Sequence, residues 1–125
     1  MALEVGLKKS FEITVTEDKC ADYPDPQYPA LDLPHVFATP SMINLMELTS
    51  AMLMNEQLEE GKASVGLSVD VKHFAATPCG AKVRCESELI EVNGKKLSFQ
   101  VDVYDENGKV GSGIHRRAIV NKPAK

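Results

Sequence analysis

A chain of 125 residues has room for one hydrophobic core of ordinary size and not for two, so a single domain over residues 1–125 is expected. With 43% hydrophobic and 26% charged residues the composition is that of a soluble globular protein, and no apolar run approaches the roughly 20 residues of a membrane span. A net charge of −4 argues against generic nucleic-acid binding, which needs a basic excess, although a few Lys and Arg side chains can still hold a small anion locally.

The first residues, MALEVGLKKSFEI, lack the charged-then-apolar order of a signal peptide, and a cytoplasmic location is the resulting expectation. Within residues 3–16 the alternation of Phe11, Ile13 and Val15 predicts a strand. The pattern then stops. From Glu17 to His35 come Pro24, Pro26, Pro29 and Pro34, with Tyr23, Tyr28, Leu31 and Leu33 among them. So long an irregular segment is functional or disordered as a rule, and its apolar residues favour an ordered lid. Cys20, Cys79 and Cys85 are odd in number and lack CxxC spacing, which signals neither a disulfide framework nor a zinc site. Cys85 reads as a core thiol in phase with Val83.

The stretch from Val36 to Gly61 is the one long helical segment. Thr39-Pro40 offers a hydroxyl N-cap followed by proline at the first helical position, and Glu59-Glu60-Gly61 marks the end. Between Met42 and Met54 only Asn44, Glu47, Thr49 and Ser50 are polar, which predicts a helix buried nearly all round. Glu47 lies between Ile43 and Ala51 on the helical wheel, so a carboxylate emerges from a mostly apolar surface. Either it reaches a solvent-filled edge or a basic strand residue, or its surroundings tune it for acid–base or nucleophilic work.

After the helix, Val65, Leu67, Val69 and Val71 alternate and His73 falls next in phase, so His73 is expected to point toward the core. Ala75 to Gly80 reads as a turn, and Ala81 to Val92 as a strand carrying Val83, Cys85 and Leu89. Asn93-Gly94 signals a hairpin; Leu97, Phe99, Val101 and Val103 mark the next strand, and Lys109 to Val120 the last. One strand, a lid, a long helix and four further strands predict an α+β domain, a curved antiparallel sheet of about five strands wrapped around the helix. The exposed edges of such a sheet predict a homodimer.

Val36-Phe37-Ala38-Thr39, Leu45-Met46-Glu47, His73 with Ala75-Ala76-Thr77-Pro78, and Gly111-Ser112-Gly113 followed by His115 and Arg117 are collinear over most of the chain. In these pieces the sequence resembles the hot-dog-fold thioesterases, and among them the fluoroacetyl-CoA thioesterase family. The resemblance implies the hot-dog fold, hydrolysis of a short or small acyl-CoA thioester, and Thr39, Glu47 and His73 on the catalytic positions. It also implies Gly66 and Arg117 near the bound thioester. Leu33, Tyr28 and Phe74, apolar residues of the lid or next to His73, are expected to enclose the acyl group. No metal or redox cofactor is implied. Two positions depart from the family pattern: Pro40 stands where glycine follows the threonine, and Leu33 stands where phenylalanine precedes the lid proline. Fluoroacetyl selectivity is therefore not part of the expectation. A hot-dog dehydratase and a non-catalytic acyl-CoA sensor are the alternatives, and release of free thiol from acyl-CoAs separates enzyme from sensor.

Overall fold

The computed structural model describes residues 3–123, so the two outermost residues at each end of the expected domain lie outside that range. Strand β1 (Lys8–Thr14) is followed by a single 3₁₀ turn (Glu17–Lys19), the irregular lid, helix α1 (Thr39–Gln57), and strands β2 (Lys62–His73), β3 (Lys82–Asn93), β4 (Lys96–Asp105) and β5 (Gly108–Asn121). All pairings are antiparallel, in the order β1-β3-β4-β5-β2. The α+β hot-dog architecture expected from the sequence is thus present, with five strands and one central helix. Two neighbour relations differ from the chain order. β1 pairs with β3, and β2 pairs with the last strand rather than with β3, which leaves β2 as an edge. Among the described residues no helix is long and apolar enough to cross a membrane.

The helix packs on the sheet through Met42, Leu45, Met46, Thr49, Ser50, Leu53 and Met54, a stripe at three- and four-residue spacing. The expectation of burial all round therefore needs correction: Leu48 is 45% exposed and Ile43, Ala51 and Met52 are only partly covered, because the sheet wraps one side of the helix. Across from the stripe lie Val83, Cys85, Leu89, Leu97, Phe99, Val101 and Val103, all buried. Cys85 is the core thiol expected, and burial pushes its pKa up to about 12. The two buried hydroxyls facing each other across this core, Ser50 and Ser87, satisfy one another at 2.8 Å.

A bulge interrupts β2. Gly66 pairs with Arg117 and Ser68 with Arg116, leaving Leu67 without a partner. Opposed residues share a face of the sheet. Gly66 thus faces the helix with Arg117, and beyond the bulge Val69, Val71 and His73 face it with His115, Gly113 and Gly111. The single phase expected from Val65 through His73 is broken at Leu67. His73 does point inward, whereas Val65 turns to the outer face.

The cysteine expectation is also overturned, since Cys20 and Cys79 form a disulfide, with Cα atoms 6.0 Å apart. The two lie 59 positions apart in sequence, and only the crossing of two loops brings them together. Cys20 pairs through its backbone with Phe37, and Val36 with Pro78.

Close approach of helix and sheet depends on Gly111, where an added Cβ would stand 2.3 Å from the Met42 sulfur and 3.1 Å from the Lys72 carbonyl oxygen. Gly111→Ala should lower stability by ~1–3 kcal/mol through overpacking, read as a lower urea midpoint. An unchanged midpoint would mean that Met42 swings aside without cost.

Candidate active site

The helix begins at Thr39, with Ala38 at the capping position and no side-chain cap. The N-cap expected of Thr39 is therefore absent, because the residue is already helical. Its hydroxyl instead makes a 2.8 Å hydrogen bond with Nδ1 of His73, the last residue of β2. The imidazole sits edge-on to the buried Phe37 ring at 5.9 Å. Its other nitrogen, Nε2, is buried without a hydrogen-bond partner among the described residues. Burial without a countercharge disfavours the imidazolium and holds the His73 pKa below its ordinary value of 6.5. Beside this pair lies a cavity of about 340 Å³, lined in part by Ala21, Phe37, Thr39, His73, Phe74 and Ala76. A neutral base hydrogen-bonded to a hydroxyl at a cavity wall is the arrangement that activates an oxygen nucleophile.

Glu47 belongs to a second cluster. A Cβ added at Gly66 would lie 3.0 Å from Glu47 Oε1, 3.5 Å from His115 Cε1 and 3.7 Å from Arg117 Nη1, so glycine leaves room for all three groups. Arg117 is 6% exposed, not a surface arginine. Its Nε donates to Ser64 Oγ at 2.8 Å, Nη2 to the Ser64 carbonyl at 2.9 Å, and Nη1 to His115 Nε2 at 3.1 Å. With Nε2 accepting, His115 carries its proton on Nδ1 and donates to the Ser68 carbonyl at 2.9 Å. Burial lowers the His115 pKa, and the Arg117 charge adds to that effect. The Arg117 pKa is lowered by burial as well, while the Glu47 charge opposes the shift.

The predicted residues thus fall into two groups within one chain. Thr39, His73 and Phe74 share one site; Glu47, Gly66 and Arg117 share another. Thr39 and Glu47 are eight positions apart on the helix, roughly 12 Å along the axis. Leu33 and Tyr28 line a neighbouring cavity of about 350 Å³ formed by the lid itself, which meets the first cavity at Ala21. His115 carries part of the sequence resemblance but is not among the site residues expected from it. Its spacing of two from Arg117 on a strand was the available signal, since it puts both on one face. Among the described residues Cys20, His35 and Cys79 form the one group with metal-ligand spacing. Its two sulfurs are bonded to each other, which leaves no thiolate for a cation.

The chain is similar to known proteins over nearly its whole length. The family model described as fluoroacetyl-CoA-specific thioesterase matches residues 15–123. The fluoroacetyl-CoA thioesterase of Streptantibioticus cattleyicolor is 36% identical over 120 residues, which cover 95% of this chain and 86% of that one. A solved structure of the fluoroacetyl-CoA thioesterase FlK superposes with a TM-score of 0.90 at 35% identity, covering 97% of this chain and 90% of that one. A thioesterase superfamily member from Thermus thermophilus superposes with a TM-score of 0.86 at 27% identity, over 97% and 86% of the two chains. The matched span takes in the Thr39–His73 pair, the Glu47 cluster and every strand from β2 to β5, and the chain belongs to the fluoroacetyl-CoA-specific thioesterase family.

Proposed function

We propose that the protein hydrolyses a short acyl-CoA thioester to the free acid and CoA, in a homodimer whose sites combine Thr39 and His73 of one protomer with Glu47 of the other. The observation that carries this reading is the 2.8 Å bond between the Thr39 hydroxyl and a desolvated His73. His73 Nδ1 takes the hydroxyl proton as Thr39 Oγ1 adds to the thioester carbonyl. The proton then passes to the departing CoA sulfur. The Glu47 carboxylate activates the water that releases the acid from Thr39.

Dimerisation supplies Glu47. β2 is an edge strand with Val65 44% and Leu67 52% exposed, apolar residues that a soluble monomer gains nothing by showing. Antiparallel pairing of β2 with its copy, centred on Asp70 and with Leu67 left unpaired at each bulge, sets Gly66 opposite His73 of the partner subunit. That register carries Glu47 to the site it lacks within its own chain. The relatives' substrate supports a small acyl group, while Leu33 before Pro34 separates this chain from the fluoroacetyl-selective pattern. Phe74 at the cavity, with Tyr28 and Leu33 folding over from the lid, encloses the acyl end. The cytoplasm, where acyl-CoAs are available, is the compartment this reading requires.

A panel of acyl-CoAs of increasing chain length, assayed for free thiol, tests the reading. Release should be fastest for the shortest acyl groups, and no release from any would leave a binding protein. On the best substrate Thr39→Ser should keep most of the activity. Thr39→Asn should lose at least ~10²-fold, as expected for removal of a group in acid–base or nucleophilic work. Both variants should stay folded, since the hydroxyl caps nothing. Wild-type turnover in Thr39→Asn would remove Thr39 from the chemistry.

The pH profile follows from the direction of the His73 shift. Neutral imidazole is the working base, and its pKa in the folded protein lies below 6.5. The acid limb of kcat/KM should therefore fall below pH 6.5, with activity full above it and lost as His73 protonates. The same depressed pKa makes its contribution to folding present above 6.5 and lost as pH falls through the folded value. An acid limb above 6.5, or an NMR titration of His73 above that value, would contradict the assignment.

A further inference from the structure

The lid is held at its root by a small set of bonds. Ala21 N–H donates to the Val36 carbonyl at 2.8 Å, Phe37 N–H to that of Thr77 at 2.8 Å, and Cys79 N–H to that of His35 at 3.3 Å. The Cys20–Cys79 disulfide spans these contacts and joins the strand of chain entering the lid to the loop that follows His73. Ala21, beside Cys20, and Ala76, shortly before Cys79, both line the Thr39–His73 cavity. One covalent bond therefore fastens two walls of that cavity. The His35 ring nitrogen lies within 4.8 Å of both sulfurs, and its Nδ1 bonds the Asp22 carboxylate at 2.8 Å. Cys20 is buried, whereas Cys79 is partly open to solvent.

We propose that Cys20, Cys79 and His35 form a thiol–disulfide exchange site that takes a dithiol reductant and sets how firmly the lid root is fastened beside Thr39 and His73. A thiolate of the reductant attacks the more accessible Cys79 sulfur, forming a mixed disulfide as the Cys20–Cys79 bond breaks. Cys20 leaves as a thiolate next to the His35 imidazolium and takes a proton from it. The carboxylates of Asp22 and Glu17 on either side of the ring favour that imidazolium. The second thiol of the reductant then displaces Cys79. Two electrons and two protons reach the protein, and the reductant leaves as its cyclic disulfide.

The kinetic consequence rests on the thioesterase reading, but the structural one does not. Amide exchange is therefore measured on the full chain, oxidised and then reduced with dithiothreitol, alongside alkylation of the denatured protein and mass measurement. Reduction should expose two cysteines beyond Cys85 and speed exchange at the amides of Ala21, Phe37 and Cys79, while the core strands keep their protection. The double variant Cys20→Ser, Cys79→Ser should show the faster exchange without reductant and no response to it. His35→Ala should slow reduction at a fixed dithiol concentration. In the assay, reduction should raise KM with kcat nearly kept. Three alkylatable cysteines in protein treated with a mild oxidant, or equal exchange at the lid root in both forms, would overturn the proposal. Wild-type reduction kinetics in His35→Ala would remove His35 from the site.

Discussion

The one-residue bulge at Leu67 decides which side chains of β2 meet the helix, and both halves of the candidate site depend on it. Upstream of it, Ser64 and Gly66 face inward, with Ser64 holding Arg117 by side chain and carbonyl. Downstream, Val69, Val71 and His73 face inward. An uninterrupted strand that kept His73 inward would instead turn Val65 and Leu67 toward Glu47 and send Gly66 outward. The Glu47 carboxylate would then be pressed against branched apolar side chains with no room at its oxygens, an arrangement that costs several kcal/mol for an ionised group. A bulge beside a functional site that re-aims side chains in this way is a common use of the irregularity.

The helix imposes the second constraint. It carries Thr39 in its first turn and Glu47 two turns later, so a rigid rod of roughly 12 Å holds the two residues apart. Neither rotamers nor small backbone shifts close that distance. The same rod runs beside the edge strand β2, and in the proposed dimer a two-fold axis alongside that strand would exchange the ends of the two helices. On the proposed pairing, what one chain separates its copy reunites, and the apolar Val65 and Leu67 at the β2 edge gain cover in the same step. Arg117 and His115 then serve as the fixed floor under Glu47. Every polar nitrogen they carry toward one another or toward Ser64 and Ser68 is committed to a specific acceptor, which leaves little freedom for the cluster to rearrange.

Much of this was legible from residue order, and the failures have physical causes. The length and apolar density of the 36–61 stretch identified the helix, and the Asn93-Gly94 turn and the alternations identified the strands. The alternation places His73 on the inner face, as found, because the period of two holds from Val69 onward. Val65 departs from the alternation because nothing in the residues around Leu67 announces a bulge. Thr39 looked like a cap since Thr-Pro is a common helix entry; the helix starts one residue earlier, and the hydroxyl is free for His73. Hydrophobicity alone predicts a helix buried all round, because it does not tell a face covered by its own sheet from one left open. Pairing of Cys20 with Cys79 depends on where two loops cross, which spacing rules for local motifs do not detect. The burial of Arg117 had the same origin: its alternation with His115 was visible, but the hydroxyl and carbonyl of Ser64 that satisfy it come from a strand 53 positions away.

In the proposed dimer each site draws Thr39 and His73 from one subunit and Glu47 from the other. Mixing two inactive variants, Glu47→Gln and His73→Ala, after unfolding and refolding them together tests it most directly. In a mixed dimer one site then receives an intact His73 and an intact Glu47, while the other site has lost both. With random pairing half the dimers are mixed, and the preparation should recover roughly a quarter of wild-type activity. A mixture as inactive as either variant alone, although sedimentation shows mixed dimers, would place the whole catalytic set within one chain and contradict the account.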